Sequence, residues 1–124
     1  MKFAGIVVIQ EPDLQGDVID VERCDVSALV GAPIHDRVDF DVVRSRKVGT
    51  ITKVEKTVDE RGVPCVRIEA DVNEGIGDSG SFSVGALGRV LETDGANHLT
   101  KTEVFGLGLT GSPVHDSYRL RPVK

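Results

Sequence analysis

The segment from Val48 to Val72 most constrains what this chain can fold into. Val66, Ile68, Ala70 and Val72 alternate with Cys65, Arg67, Glu69 and Asp71, the period-two pattern of a strand with one face in a core and one in water. Ahead of it, Asp59-Glu60-Arg61-Gly62 supplies turn residues, and Gly62 is free to take the positive φ that a tight hairpin requires. Val48–Val58, rich in threonine and valine, then becomes the partner strand. The alternation of Lys53, Glu55, Arg67 and Glu69 predicts cross-strand charge pairing on the solvent face of this hairpin.

The rest of the chain follows the same habit. Phe3–Ile9 is continuously apolar, as expected of a strand buried on both faces. Glu11–Asp20 is polar and turn-rich. Asp25 is placed to cap a short helix over Val26, Ala28, Leu29 and Val30 that Gly31 would stop. Ser81–Glu92 is a further extended segment, closed by Thr93-Asp94-Gly95-Ala96-Asn97. In the last strand, Phe105, Leu107 and Leu109 are expected on one face, with Val104, Gly106 and Gly108 on the other. Twenty valines and fourteen glycines favour strands over helices. The expected fold is mainly β: a small antiparallel or mixed barrel with one or two short helices.

Charge and length exclude several classes. With 15 basic against 20 acidic residues the net charge is −5, which argues against nucleic acid or an anionic membrane as the main partner. A chain of 124 residues is expected to form one domain, spanning residues 1–124. No apolar run reaches the roughly 20 residues of a membrane span. Cys24 and Cys65 make no metal motif and are expected as core or half-buried thiols in a reducing cytoplasm.

Three clusters carry candidate chemistry: Gly16-Asp17-Val18-Ile19, the segment around His35, and the stretch from Gly75 to Gly88. A serine hydroxyl needs a base to become a nucleophile, and histidine is the usual base near neutral pH. His35 stands among carboxylates in Pro33-Ile34-His35-Asp36-Arg37-Val38-Asp39. Ser83 is followed by Val84-Gly85-Ala86, small residues whose N–H groups are candidate oxyanion donors. On composition alone the plainer reading is a capping or surface histidine and a loop serine. A metal cluster from His35, Asp36, Asp39 and Asp41 fits no standard ligand spacing, so no metal or cofactor is expected.

The ordered set Glu11-Pro12-Asp13-Leu14-Gln15-Gly16-Asp17-Val18-Ile19, His35-Asp36, Phe82-Ser83-Val84-Gly85 and Leu107-Gly108-Leu109-Thr110-Gly111-Ser112-Pro113 resembles the tailed-phage prohead proteases. That family includes head-maturation proteases of defective prophages and is related in fold to the herpesvirus assemblins. The resemblance runs from about Ala4 to Tyr118. It implies a serine endopeptidase with Ser83 as nucleophile and His35 as general base, cleaving scaffold and capsid-protein segments and itself. Asp39 is the first choice for the third catalytic member, with Asp36, His98 and His115 as competitors. The resemblance further implies a homo-oligomer in the cytoplasm of an infected or lysogenic bacterium, inside an immature capsid.

Two alternatives remain beside it. Family members usually carry a long, partly helical segment before the nucleophile, whereas Asn73–Ser81 is short and glycine-rich; this favours a non-catalytic phage assembly protein on the same barrel. Gly77-Asp78-Ser79-Gly80-Ser81 also resembles the nucleophile loop of chymotrypsin-like proteases, with Ser79 as nucleophile and Asp59 as a conceivable third member. Those enzymes need two six-stranded barrels, which this length hardly supplies.

Overall fold

The two arms flanking the Asp59–Gly62 turn form the central hairpin of a closed barrel. A computed structural model describes residues 1–38, 45–78 and 80–123. In chain order the strands are β1 (Lys2–Ile9), β2 (Val18–Ile19), β3 (Cys24–Asp25), β4 (Pro33–His35), β5 (Lys47–Val58) and β6 (Pro64–Val72). The helix α1 (Glu74–Gly77) follows, and then β7 (Phe82–Thr93), β8 (His98–Leu109) and β9 (Arg119–Pro122). Neighbours run β8-β4-β5-β6-β1-β9-β7, and β7 returns to β8 to close a seven-stranded ring. Closure removes the free edges that would otherwise invite pairing with other chains. The short strands β2, β3 and β4 succeed one another along one edge of β8, all parallel to it.

The alternation expected in β6 is present: Val66, Ile68, Ala70 and Val72 are buried, while Arg67 and Asp71 are exposed. Gly62 has φ +81° in the turn before it. On the solvent face Lys53 stands opposite Glu69 and Glu55 opposite Arg67. The ion pairs run differently from that ladder: Lys53 reaches Glu55 along its own strand, and Glu69 takes Lys2 of β1. Phe3, Ile9, Leu29, Ile34, Ile51, Ile68, Leu107 and Leu120 fill the barrel with fully buried side chains.

Two expectations are corrected. Residues 26–31 form turns, not a helix, because the Asp25 carboxylate accepts the Ser27 N–H at 2.9 Å and closes a local turn. The short helix lies instead at Glu74–Gly77, in the glycine-rich connection after β6. In β8 the two faces change phase at Phe105. The ladder steps from Leu87–Gly106 to Gly88–Val104, so Phe105 bulges outward and Val104 turns into the core with Leu107.

Candidate functional site

Ser83 and His35 enter the same region from opposite sides of β8. Val84 is fully buried, so Ser83 beside it faces outward; Ile34 is fully buried, so His35 does too. Across the sheet, His35 stands opposite Gly108 and Gly108 opposite Gly85. His35 and Ser83 are therefore two strands apart and offset by two residues, roughly 10–12 Å between their Cα atoms. A nucleophile and its base need heavy atoms within about 2.6–3.2 Å.

Each side chain has another partner. The Ser83 hydroxyl accepts an N–H from Arg119 Nη1 at 3.3 Å, and the same guanidinium donates through Nε to Ser81 Oγ at 2.9 Å. His35 Nδ1 hydrogen-bonds the Ser45 hydroxyl at 2.8 Å. The ground between them is occupied. A Cβ placed on Gly108 would lie 2.2 Å from the Arg37 carbonyl oxygen, and one on Gly85 would lie 3.0 Å from Val38 Cγ1. The Arg37–Val38 segment thus crosses the outer face against two glycines that leave it room. The Val84 N–H, a candidate oxyanion donor, donates to the Tyr118 carbonyl at 3.0 Å and is committed to the sheet.

The candidates for a third catalytic member are dispersed. Asp36 accepts the Arg46 N–H at 3.0 Å, and its own N–H donates to the Arg46 carbonyl. That backbone bond and the neighbouring Arg37 charge hold its carboxyl below the usual aspartate range. Its oxygens accept from Arg46 and Arg37. His98 is exposed at the first position of β8, ten residues along the strand from Gly108. His115 lies 2.6 Å through Nε2 from Glu11 Oε1 and accepts the Ser117 N–H at Nδ1. Asp59 accepts the N–H groups of Arg61 and Val63 in its own turn. Asp39, Asp41 and Ser79 lie outside the described residues. Among the described residues, no group of three or more potential ligands is arranged to hold a metal ion.

Sequence reasoning missed Arg119 and the strand that carries it. The signal was present in Arg119-Leu120-Arg121, a charged–apolar–charged alternation of a half-buried strand. It also missed the network joining Glu11, Arg61, Asp59 and His115. Arg61 donates to both oxygens of Glu11 at 2.9–3.0 Å and also pairs with Asp59. These bonds, Arg61 foremost, hold the Glu11 carboxyl below its ordinary range. The cysteines are both buried, and burial pushes both thiols up. No protein-family model matches the chain, and neither a curated protein nor a solved structure does.

Proposed function

We propose that the protein is a non-catalytic assembly component of a tailed-phage particle, with a prohead-protease-like barrel that binds scaffold and capsid proteins without cleaving them. One observation carries the non-catalytic part. The Ser83 hydroxyl is engaged by Arg119 on the side away from His35, while Arg37 and Val38 lie against Gly85 of β7 and Gly108 of β8, the strand that separates serine from histidine. A hydroxyl without a base at its proton is a weak nucleophile. The phage part rests on the four motifs in family order. The shortness of Asn73–Ser81, with only one turn of helix, is in keeping with a barrel that lacks substrate-binding walls.

A second reading, a serine endopeptidase of head maturation, is favoured by a specific feature. Ser83 and His35 lie on one outer face, either side of β8, and the Arg119 guanidinium, 3.3 Å from Ser83 Oγ, puts a positive charge beside the nucleophile. In that reading Ser83 Oγ attacks the peptide carbonyl while His35 takes its proton. His35 then protonates the leaving amine, and water repeats the sequence on the acyl-enzyme. It requires Arg37–Val38 to withdraw. In both readings the partners are phage scaffold and capsid proteins and further copies of the chain, within an immature capsid.

Fluorophosphonate labelling with mass-spectrometric location of the adduct separates the two. The expected result is no adduct on Ser83 under conditions where a control hydrolase reacts fully. An adduct on Ser83 that disappears in His35→Ala would replace the first reading by the second. An adduct on Ser79 would point to the chymotrypsin-like loop.

A further inference from the structure

Beyond Ser83, the outer face of β6, β1 and β9 forms a trough with an unusual charge. One end is a cavity of about 540 Å³ with Ala4 and Ile6 on its floor and Arg67, Arg119 and Arg121 around it. It continues into a second of about 590 Å³ that shares Ile6, Glu60 and Arg67. Register explains why three arginines meet here. Arg67 of β6 stands opposite Ile6, and Arg121 of β9 stands opposite Ala4. Arg119 lies two residues before Arg121, on the same face.

Among the described residues, none of the three arginines is within ion-pair distance of a carboxylate; Arg119 donates only to the neutral hydroxyls of Ser81 and Ser83. Glu60 lines both cavities, while Glu69, opposite Ala4, is paired with Lys2, and Glu55, opposite Arg67, with Lys53. The other acids of the second cavity, Glu11 and Asp59, are already paired with Arg61. The first cavity therefore keeps uncompensated positive charge in a chain whose net charge is −5.

We propose that this trough is a binding site for an extended acidic peptide segment of a partner protein. The spacing favours a peptide over a single small anion. Arg119 and Arg121 are about 7 Å apart along β9, the same interval that separates alternate side chains of an extended ligand. Arg67 lies two strand spacings away, about 10 Å across the trough, and reaches the ligand from its other side. Guanidinium groups bind carboxylates through paired N–H donors, so an acid-x-acid stretch matches the site in both charge and interval. Ala4, small and on the floor, leaves space for a peptide backbone. The proposal does not depend on whether Ser83 is chemically active.

Fluorescence anisotropy with a labelled Gly-Glu-Gly-Glu-Gly-Glu-Gly peptide tests it, using the full chain at low salt and again at physiological salt. The all-glutamine counterpart is expected not to bind. Arg67→Ala and Arg121→Ala should each weaken binding about fivefold, and the double variant about twentyfold. Arg23→Ala, whose guanidinium pairs with Glu92 elsewhere on the surface, should leave binding unchanged. Circular dichroism confirms that each variant is folded; Arg121→Lys, which keeps the charge but not the paired donors, should recover part of the affinity lost in Arg121→Ala. Equal binding of the glutamine peptide, or full affinity in the double variant, would overturn the proposal. Tighter binding of a single-stranded oligonucleotide than of the acidic peptide would overturn it as well, and would assign the trough to phosphate.

Discussion

Replacing Gly108 by alanine perturbs a contact on which the non-catalytic reading rests. The new methyl carbon would lie 2.2 Å from the Arg37 carbonyl oxygen, 2.7 Å from its carbon and 3.1 Å from the Val38 nitrogen. Carbon–oxygen contacts settle near 3.3 Å, so the Arg37–Val38 peptide must lift by about 1 Å. Gly108 cannot retreat, because it is paired with His35 on one side and Gly85 on the other. The neighbouring Asp36 is held by two bonds to Arg46. Overpacking costs about 1–3 kcal/mol, and the obstructing atoms here are backbone, which places the cost near 2.5 kcal/mol. For a domain of this size that is roughly 10 °C in Tm. Thermal melting followed by circular dichroism, with a urea titration to confirm an unchanged slope, measures it. Gly111→Ala is the control, since nothing lies within 4 Å of a Cβ there, and its Tm should match or slightly exceed wild type. If Gly108→Ala melts with wild type, Arg37–Val38 does not sit on β8 and the argument that it separates His35 from Ser83 collapses.

Other outcomes follow from single groups. Tyr118 is buried and its hydroxyl accepts the Ile9 N–H at 3.3 Å; burial pushes its pKa up to about 12, so ultraviolet titration should show no phenolate at pH 10.5 in the folded state. Tyr118→Phe should cost about 1–2 kcal/mol by orphaning that N–H, read as a lower urea midpoint. Thr102 is buried, and among the described residues its hydroxyl meets only the Cys24 thiol across the ladder, a weak partner, so Thr102→Val is expected to be neutral to within about 1 kcal/mol in the same titration. The Glu11 carboxyl is held below its ordinary value of 4.5, chiefly by Arg61. A depressed carboxyl stabilises the fold above its unfolded pKa and loses that contribution as pH falls through the lower folded value. Tm should therefore fall as pH drops below 4.5, and fall less steeply in Arg61→Met; parallel slopes would refute the assignment.

The strands were legible where a local pattern survives folding. β6 alternates because one face of a hairpin meets the core, and β1 is apolar from Phe3 to Ile9 because six of its eight residues are buried. The failures have the opposite origin. Phe105 belongs to an unbroken alternation in sequence, yet a one-residue bulge against β7 reverses the phase, and nothing in the residues from 104 to 109 announces it. Asp25 has the chemistry of a helix cap, but the same carboxylate closes a turn on Ser27 at less cost in ordered backbone. The candidate site divides in the same way. Ser83 and His35 were visible as residue types in suggestive strings. Their separation was not, because it is set by the pairing of β4, β8 and β7, which are far apart in the chain. Arg119 arrives from a fourth strand that touches β7 over only two residues, Phe82 and Ser83.

The net charge of −5 looks at first like evidence against any anionic partner, but the acidic excess has a structural use that net charge does not register. Asp13 accepts the N–H groups of Gln15 and Asp17, Asp20 that of Glu22, Asp25 that of Ser27, and Asp59 those of Arg61 and Val63. Each turn of the barrel leaves backbone donors that a carboxylate satisfies. Four of the twenty acidic residues thus sit in turns, against backbone dipoles, while the ladder gathers Arg67, Arg119 and Arg121 at one place on the outer face. A partner responds to the local field within about a Debye length of 8 Å at physiological salt, not to the sum over the molecule. Reversing the charge at Arg121 with glutamate should therefore abolish acidic-peptide binding, although it changes the net charge by only two units. Adding the same two negative charges through Arg23→Glu, outside the trough, should leave that binding nearly intact.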